Sequence, residues 1–334
     1  MKQLKTPRGL PVDVPESVDE DVSLKFDISQ TAEIKAYFES NGYVIVRGAI
    51  EPAICNQIRS LWDLEVKPFE GSIYRQATAR LERHKFNDKG WVMNPILNLQ
   101  SVDPRHFPGF REFATQQVLS HSNLTQGFRI LLGDTPKLVQ SMYFEGNSAT
   151  WEHQDSYYLD SENLGAMVAG WIAVEDIAAE AGRFFICPKS HQIELIRQQK
   201  DNNIADNHDA YIQQVVERIR ALSLEIRAPL LQQGDILFWH AFTIHGSLDS
   251  QDENRSRSSI TCHAIPNSHR FLQLHSRVLD LPTDSVNGTR VFRPKDLSRW
   301  MNRLIFSLES NFPNFFSSLK KMAVRHAIKS KAAR

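Results

Sequence analysis

Cysteine is scarce in this chain. Cys55, Cys187 and Cys262 are the only three in 334 residues, and they lie far apart with no C-x-x-C pattern. A disulfide framework or a structural zinc site is therefore not expected, and a reducing cytoplasm fits. An excess of either charge is missing too: 39 Lys and Arg balance 39 Asp and Glu, so nothing in the whole-chain field points to nucleic acid. No apolar run is long enough to span a bilayer, and the opening MKQLKTPRGLPVDVPES has none that would serve as a signal peptide. No internal repeat is visible. What remains is 41% hydrophobic and 23% charged, the composition of a soluble globular protein with a large core.

Hydrophobic periodicity divides the chain. Residues 1–30 carry Pro7, Pro11, Pro15 and an acidic patch, and read as an irregular arm. Ile34, Tyr37 and Phe38 give a helix over 31–41 that Gly42 closes, and YVIVRGAI (43–50) follows as a β-branched strand. Pro52 starts a second helix. The stretch 69–110 is rich in Arg, Asn and Pro; its aromatic residues either line a cleft or cover the core. Helix is expected again over 113–132. From Pro136 onward the segments 137–146, 166–177, 182–188, 232–242 and 257–266 read as strands, interrupted by one helix around 211–222 with Asn207 or Asp209 as its cap. Short strands without alternating helices predict a mainly β fold with flanking helices, an antiparallel barrel or double-sheet jelly roll. An amphipathic helix from Leu297 to Leu308, capped by Asp296, leads into a basic tail.

The chemistry-bearing stretch is WEHQDS, residues 151–156. On an extended segment His153 and Asp155 project to one side. An imidazole and a carboxylate so placed are two thirds of a 2-His-1-carboxylate metal site. Candidates for the second histidine are His240 and His245, both within GDILFWHAFTIHGS, where Gly246 beside His245 would allow close backbone approach. Past a short loop stand Arg255 and Arg257; an arginine there could reach into the barrel and hold a carboxylate with two parallel donors.

Taken together, HQD, Trp171, the P-x-S-H run at 188–191 and GDILFW…HGS…R…SITCH resemble the phytanoyl-CoA dioxygenase family, as does the helix-then-strand opening AYFESNGYVIVRGAI. The resemblance covers roughly residues 31–266. It implies a double-stranded β-helix (a cupin-like jelly roll), Fe(II) as cofactor, and 2-oxoglutarate and O2 as co-substrates. It further implies His153, Asp155 and His245 as iron ligands. Arg257 would then hold the far carboxylate of 2-oxoglutarate with Ser247 beside it, Arg255 being the fallback, and Trp171 and Gln140 would line the co-substrate pocket. Family members usually carry glycine where Lys189 stands. Halogenases of this general type replace the carboxylate ligand with a small residue, so Asp155 argues for hydroxylation or a related oxidation.

Around this site Trp151, Tyr157, Tyr158 and Trp239 either grip substrate or pack the barrel mouth. His191 and His240 read as hydrogen-bonded structural histidines. The resulting domain plan is an arm over 1–30, a double-stranded β-helix domain with N-terminal helices over 31–295, and a helical, basic tail over 296–334. That tail is either a solvated end or a weak contact with a membrane surface. The expected activity is oxidation of a C–H bond in a small molecule, releasing succinate and CO2. Alternatives are hydroxylation of a protein side chain, or a cupin-like module that binds metal and ligand without turnover. Substrate identity and oligomeric state stay open.

Overall fold

In the computed structural model the regions described are residues 1–146, 149–194, 204–274, 277–312 and 316. The chain opens with an antiparallel hairpin, β1 (Lys2–Lys5) and β2 (Pro11–Val14), followed by β3 (Lys25–Phe26). This corrects the expectation of an irregular arm. Val12 and Val14 alternate inward with Pro11 and Asp13 outward, and the two valines join a cluster with Phe185 and Leu248. Two residues per face are too few for periodicity to register, yet enough to dock a hairpin.

Helix α1 (Thr31–Asn41) ends at Gly42, whose φ of 75° is the left-handed cap that glycine adopts freely. Strand β4 (Tyr43–Val46) follows, then α2 (Pro52–Leu61), which runs on into a π-helical turn over Trp62–Val66. Between 69 and 110 come three two-residue strands, β5 (Ile73–Tyr74), β6 (Leu81–Glu82) and β7 (Ile96–Leu97). The single helix expected over 113–132 is broken. It comprises α3 (Pro108–Phe113) with a π-helical continuation, then α4 (Ser122–Leu132), where the Asn123 amide donates to the capping His121 ring.

The jelly roll proper is built from β8 (Pro136–Phe144), β9 (Thr150–His153), β10 (Leu159–Ser161), β11 (Val168–Ala173) and β12 (Phe184–Ile186). After α5 (Ile204–Ala221) it continues through β13 (Ile236–His240), β14 (His245–Ser247) and β15 (Ser259–Pro266). Helix α5 begins at Ile204, so Asn207 and Asp209 lie inside it and do not cap it. Four more short strands, β16 (Phe271–Gln273), β17 (Arg277–Leu279), β18 (Thr283–Val286) and β19 (Thr289–Phe292), precede α6 (Trp300–Asn311). Asp296 does not cap α6: it is buried against Arg111 at 2.8 Å, and Arg299 occupies the cap position. The basic run from Lys320 to Arg334 lies outside the described residues.

Two sheets face one another. The larger runs β18-β19-β8-β15-β11-β13-β4-β3, and the smaller is β12-β14-β9. Strand alternation gives the large sheet two characters. Val44, Val46, Ile172, Ile236, Phe238 and Ile260 turn outward against Ile34, Ile58 and Phe128 of the helices. Tyr43, Ile45, Ala169, Trp171, Leu237 and Trp239 turn inward and meet Phe184 and Ile186 of the small sheet. The core therefore lies on both sides of one sheet, and polar residues on its inner face need partners within the barrel. Among the described residues no helix is long and apolar enough to cross a membrane.

Candidate metal and co-substrate site

Register in the small sheet creates the site. Strand β14 pairs antiparallel with β9 so that His245 stands directly opposite His153, their rings 4.3 Å apart between centroids. The pairing is tight at Gly246, where a Cβ would come within 2.5 Å of the Thr150 carbonyl oxygen. Each imidazole turns Nδ1 to a backbone carbonyl, His153 to Trp151 at 2.8 Å and His245 to Thr243 at 3.0 Å. Donation from Nδ1 fixes the tautomer and leaves the Nε2 lone pair of both rings for a metal.

Asp155 follows β9 in a single 3-10 turn (Asp155–Tyr157), with Oδ1 3.5 Å from His153 Nε2 and 3.6 Å from His245 Nε2. One ligand atom from each of the three groups lies within 4.8 Å of the other two. Oδ2 is held from behind: Trp239 Nε1 donates to it at 2.8 Å and His263 Nε2 lies 3.2 Å away. Burial alone would raise the Asp155 carboxyl. The pull of His245 and His263, with hydrogen bonds from His153 and His263, outweighs burial and holds it well below the usual carboxylate range. Burial pushes His245 down to about 3. At neutral pH these two groups are thus a carboxylate and a neutral imidazole, the forms a divalent cation requires. Two nitrogens and one oxygen clustered in this way fit a first-row metal such as iron and leave part of its coordination sphere open.

Arg257 is fully buried just before β15. Its Nη1 donates to the Gly182 carbonyl at 3.1 Å and its guanidinium lies 5.4 Å over the Phe144 ring. Nε has no hydrogen-bond partner among the described residues, and burial lowers the group to about 9 with no acid nearby to oppose it. Such a cation calls for an anion. Arg255, by contrast, is exposed and pairs with Asp252 at 3.5 Å. Ser247 is buried on β14 and its hydroxyl accepts from the Thr150 amide at 2.9 Å. Trp171 is buried on β11 opposite Thr261, and Gln140 on β8 pairs in register with His263.

The four aromatic residues separate. Trp151 is exposed, and the Tyr158 ring lies 5.8 Å from that of His153, so these two flank the site. Tyr157 instead stacks on Tyr211 at 3.6 Å within an apolar cluster, and Trp239 is buried and donates to Asp155. His191 and His240 stand elsewhere: His191 Nε2 lies 3.0 Å from the Glu39 carbonyl, and His240 Nδ1 accepts from the Phe242 amide at 3.1 Å. Lys189 adopts φ 65°, the left-handed conformation that favours glycine.

Three residues were not singled out from the sequence. His263 could have been found, since in SITCH it shares an inward face with Ser259 and Thr261. His208 on α5, 2.7 Å from the Tyr158 hydroxyl, gave no signal, and neither did Phe184, which stacks on His245. The hydrogen bonds to Asp155 carry a test. Trp239→Phe and His263→Ala should each weaken Fe(II) binding about 10–100-fold, measured by metal titration, while His263→Gln, which keeps a donor, restores part of the loss. Unchanged affinity in both would make these contacts irrelevant to the metal.

A jelly roll that gathers two imidazoles and a carboxylate, and that buries an arginine with no acidic partner among the described residues, has the features of a non-haem iron oxygenase. The family profile of phytanoyl-CoA dioxygenase (PhyH) matches residues 38–259, and the chain belongs to that family, as an Fe(II)- and 2-oxoglutarate-dependent dioxygenase. Peroxisomal phytanoyl-CoA dioxygenase of Bos taurus is 22% identical over 244 residues, 71% of this chain and 69% of the relative. Among solved structures, the non-heme alpha ketoglutarate dependent carbocyclase SnoK from nogalamycin biosynthesis superposes with a TM-score of 0.55 at 16% identity, over 75% of this chain and 89% of that one. EctD from S. alaskensis, solved with 2-oxoglutarate and 5-hydroxyectoine, gives 0.53 at 14%, over 89% and 94%. Both share the fold.

Proposed function

We propose that the chain hydroxylates a C–H bond of a small molecule, with His153, Asp155 and His245 holding Fe(II) and Arg257 holding the far carboxylate of 2-oxoglutarate. The observation that carries this reading is the buried Arg257 guanidinium, which has no acidic partner among the described residues. When bound, iron with O2 and 2-oxoglutarate supplies the oxidising power, with succinate and CO2 as products. The protein's own residues position and exclude. The Nδ1 contacts of His153 and His245 fix their rings, Trp239 and His263 fix Asp155, and Phe184, Trp171 and Trp239 keep water from the inner wall. Ser247, Gln140 and Trp171 are assigned to the co-substrate pocket.

Substrate is assigned to a cavity of about 410 Å³ whose walls include Phe69, Tyr74, Phe107, Gln140, Phe271 and Phe306. That volume suits a metabolite-sized molecule. Its Gln140 wall is the register partner of His263, which touches Asp155. The mostly apolar lining favours a small molecule over a protein side chain. The three cysteines are buried and unpaired, in keeping with a cytoplasmic location.

Anaerobic addition of Fe(II) and 2-oxoglutarate should produce a visible metal-to-ligand charge-transfer band, and admission of air should release succinate. Absence of both would leave the non-catalytic binding module as the better reading.

A further inference from the structure

Helix α6 presents an apolar stripe that nothing among the described residues covers. Trp300, Met301, Leu304, Ile305, Leu308 and Phe312 fall on one arc of the helix, and Trp300 is 66% and Phe312 59% exposed. The opposite arc faces the body: Phe306 meets the Tyr74 ring edge-on at 6.1 Å, and Glu309 accepts from the Tyr74 hydroxyl at 3.0 Å. The stripe is therefore not a core face that has swung outward. Six large apolar side chains side by side on a surface helix mark an interaction surface.

The charges beside the stripe, and those that follow it in the sequence, indicate what it meets. Arg299 and Arg303 adjoin it. No acidic residue follows Glu309, whereas Lys320, Lys321, Arg325, Lys329, Lys331 and Arg334 do. An apolar helical face with one-signed cations along the same stretch matches an anionic lipid surface, in which acyl chains take the stripe and headgroups take the cations. A second copy of the chain would bring like charge against like charge. We infer that α6 docks the protein flat on anionic bilayers through this stripe. Because the docking face is the far side of a helix that walls the cavity, the inference concerns where the enzyme sits and not what it oxidises.

The test uses the full chain and vesicles of phosphatidylcholine, with and without phosphatidylglycerol. Sedimentation with the anionic vesicles only is expected, together with a blue shift of tryptophan emission that Trp300→Phe removes. The exposed pair Leu304→Asp and Ile305→Asp should reduce binding about tenfold or more, while the iron charge-transfer band confirms that the variant is folded. Three results overturn the inference. One is no sedimentation with anionic vesicles, and another is equal sedimentation of the double variant, which would leave charge alone as the cause. The third is another occupant already covering the stripe without lipid, seen as Trp300 emission already blue-shifted or as a self-association that the double variant abolishes. None of these results bears on the oxygenase assignment, which is read from the charge-transfer band.

Discussion

Asp155→Ala should bring succinate formation down to that of a protein-free control and erase the charge-transfer band. Asp155 is the anionic member of the triad, and its two oxygens are fully committed, Oδ1 toward His153 and His245 and Oδ2 to Trp239 and His263. Loss of an outer contact to a metal ligand typically costs about 10–100-fold in affinity. Loss of the ligand itself should cost more than that. The variant also strands the Trp239 indole N–H in an apolar wall, a penalty of about 1–3 kcal/mol, so its melting temperature should fall modestly while the far-ultraviolet dichroism is kept. A folded Asp155→Ala protein that still forms the band would place the iron elsewhere.

Arg257→Leu should raise the KM for 2-oxoglutarate on the order of 100-fold or more, since removing one partner of a buried, hydrogen-bonded charge pair costs about 2–5 kcal/mol. Iron binding without co-substrate should be unaffected. Stability should move the other way. Among the described residues no acid compensates the buried guanidinium, and burial lowers it to about 9. A leucine is shorter and gives up the Gly182 contact, but it removes the uncompensated charge, so thermal stability should be equal or higher. The pair of measurements separates a functional arginine from a structural one, for which stability and KM would worsen together. An unchanged KM would shift the assignment to another cation.

How legible the site was depended on whether its geometry is local. The separation of His153 and Asp155 is a property of two adjacent residues on extended chain, and alternation reports it directly. The inward faces of β11, β13 and β15 follow from the same rule, which is why Trp171 and Trp239 stand out by their placement. Choosing His245 over His240 needs the register of β14 against β9, a long-range fact that periodicity does not contain; the family resemblance supplied it. The choice of Arg257 over Arg255 turns on burial, which two arginines one residue apart do not reveal. The hairpin over 2–14 was missed because its proline and acidic content outweighed two inward valines. Likewise, the amphipathic pattern over Leu297–Leu308 does not say which arc meets the body; in α6 it is the apolar arc that stands exposed among the described residues.

That hairpin does more than cover an edge. Thr6 donates to Glu152, the residue immediately before His153, across 146 positions of chain. The strand that carries His153 and leads directly into Asp155 is therefore latched by the chain's opening segment. Weak iron retention after a change near the amino terminus, a fusion joint for instance, would be a symptom of an unfastened latch, and intact ligands would be no defence against it.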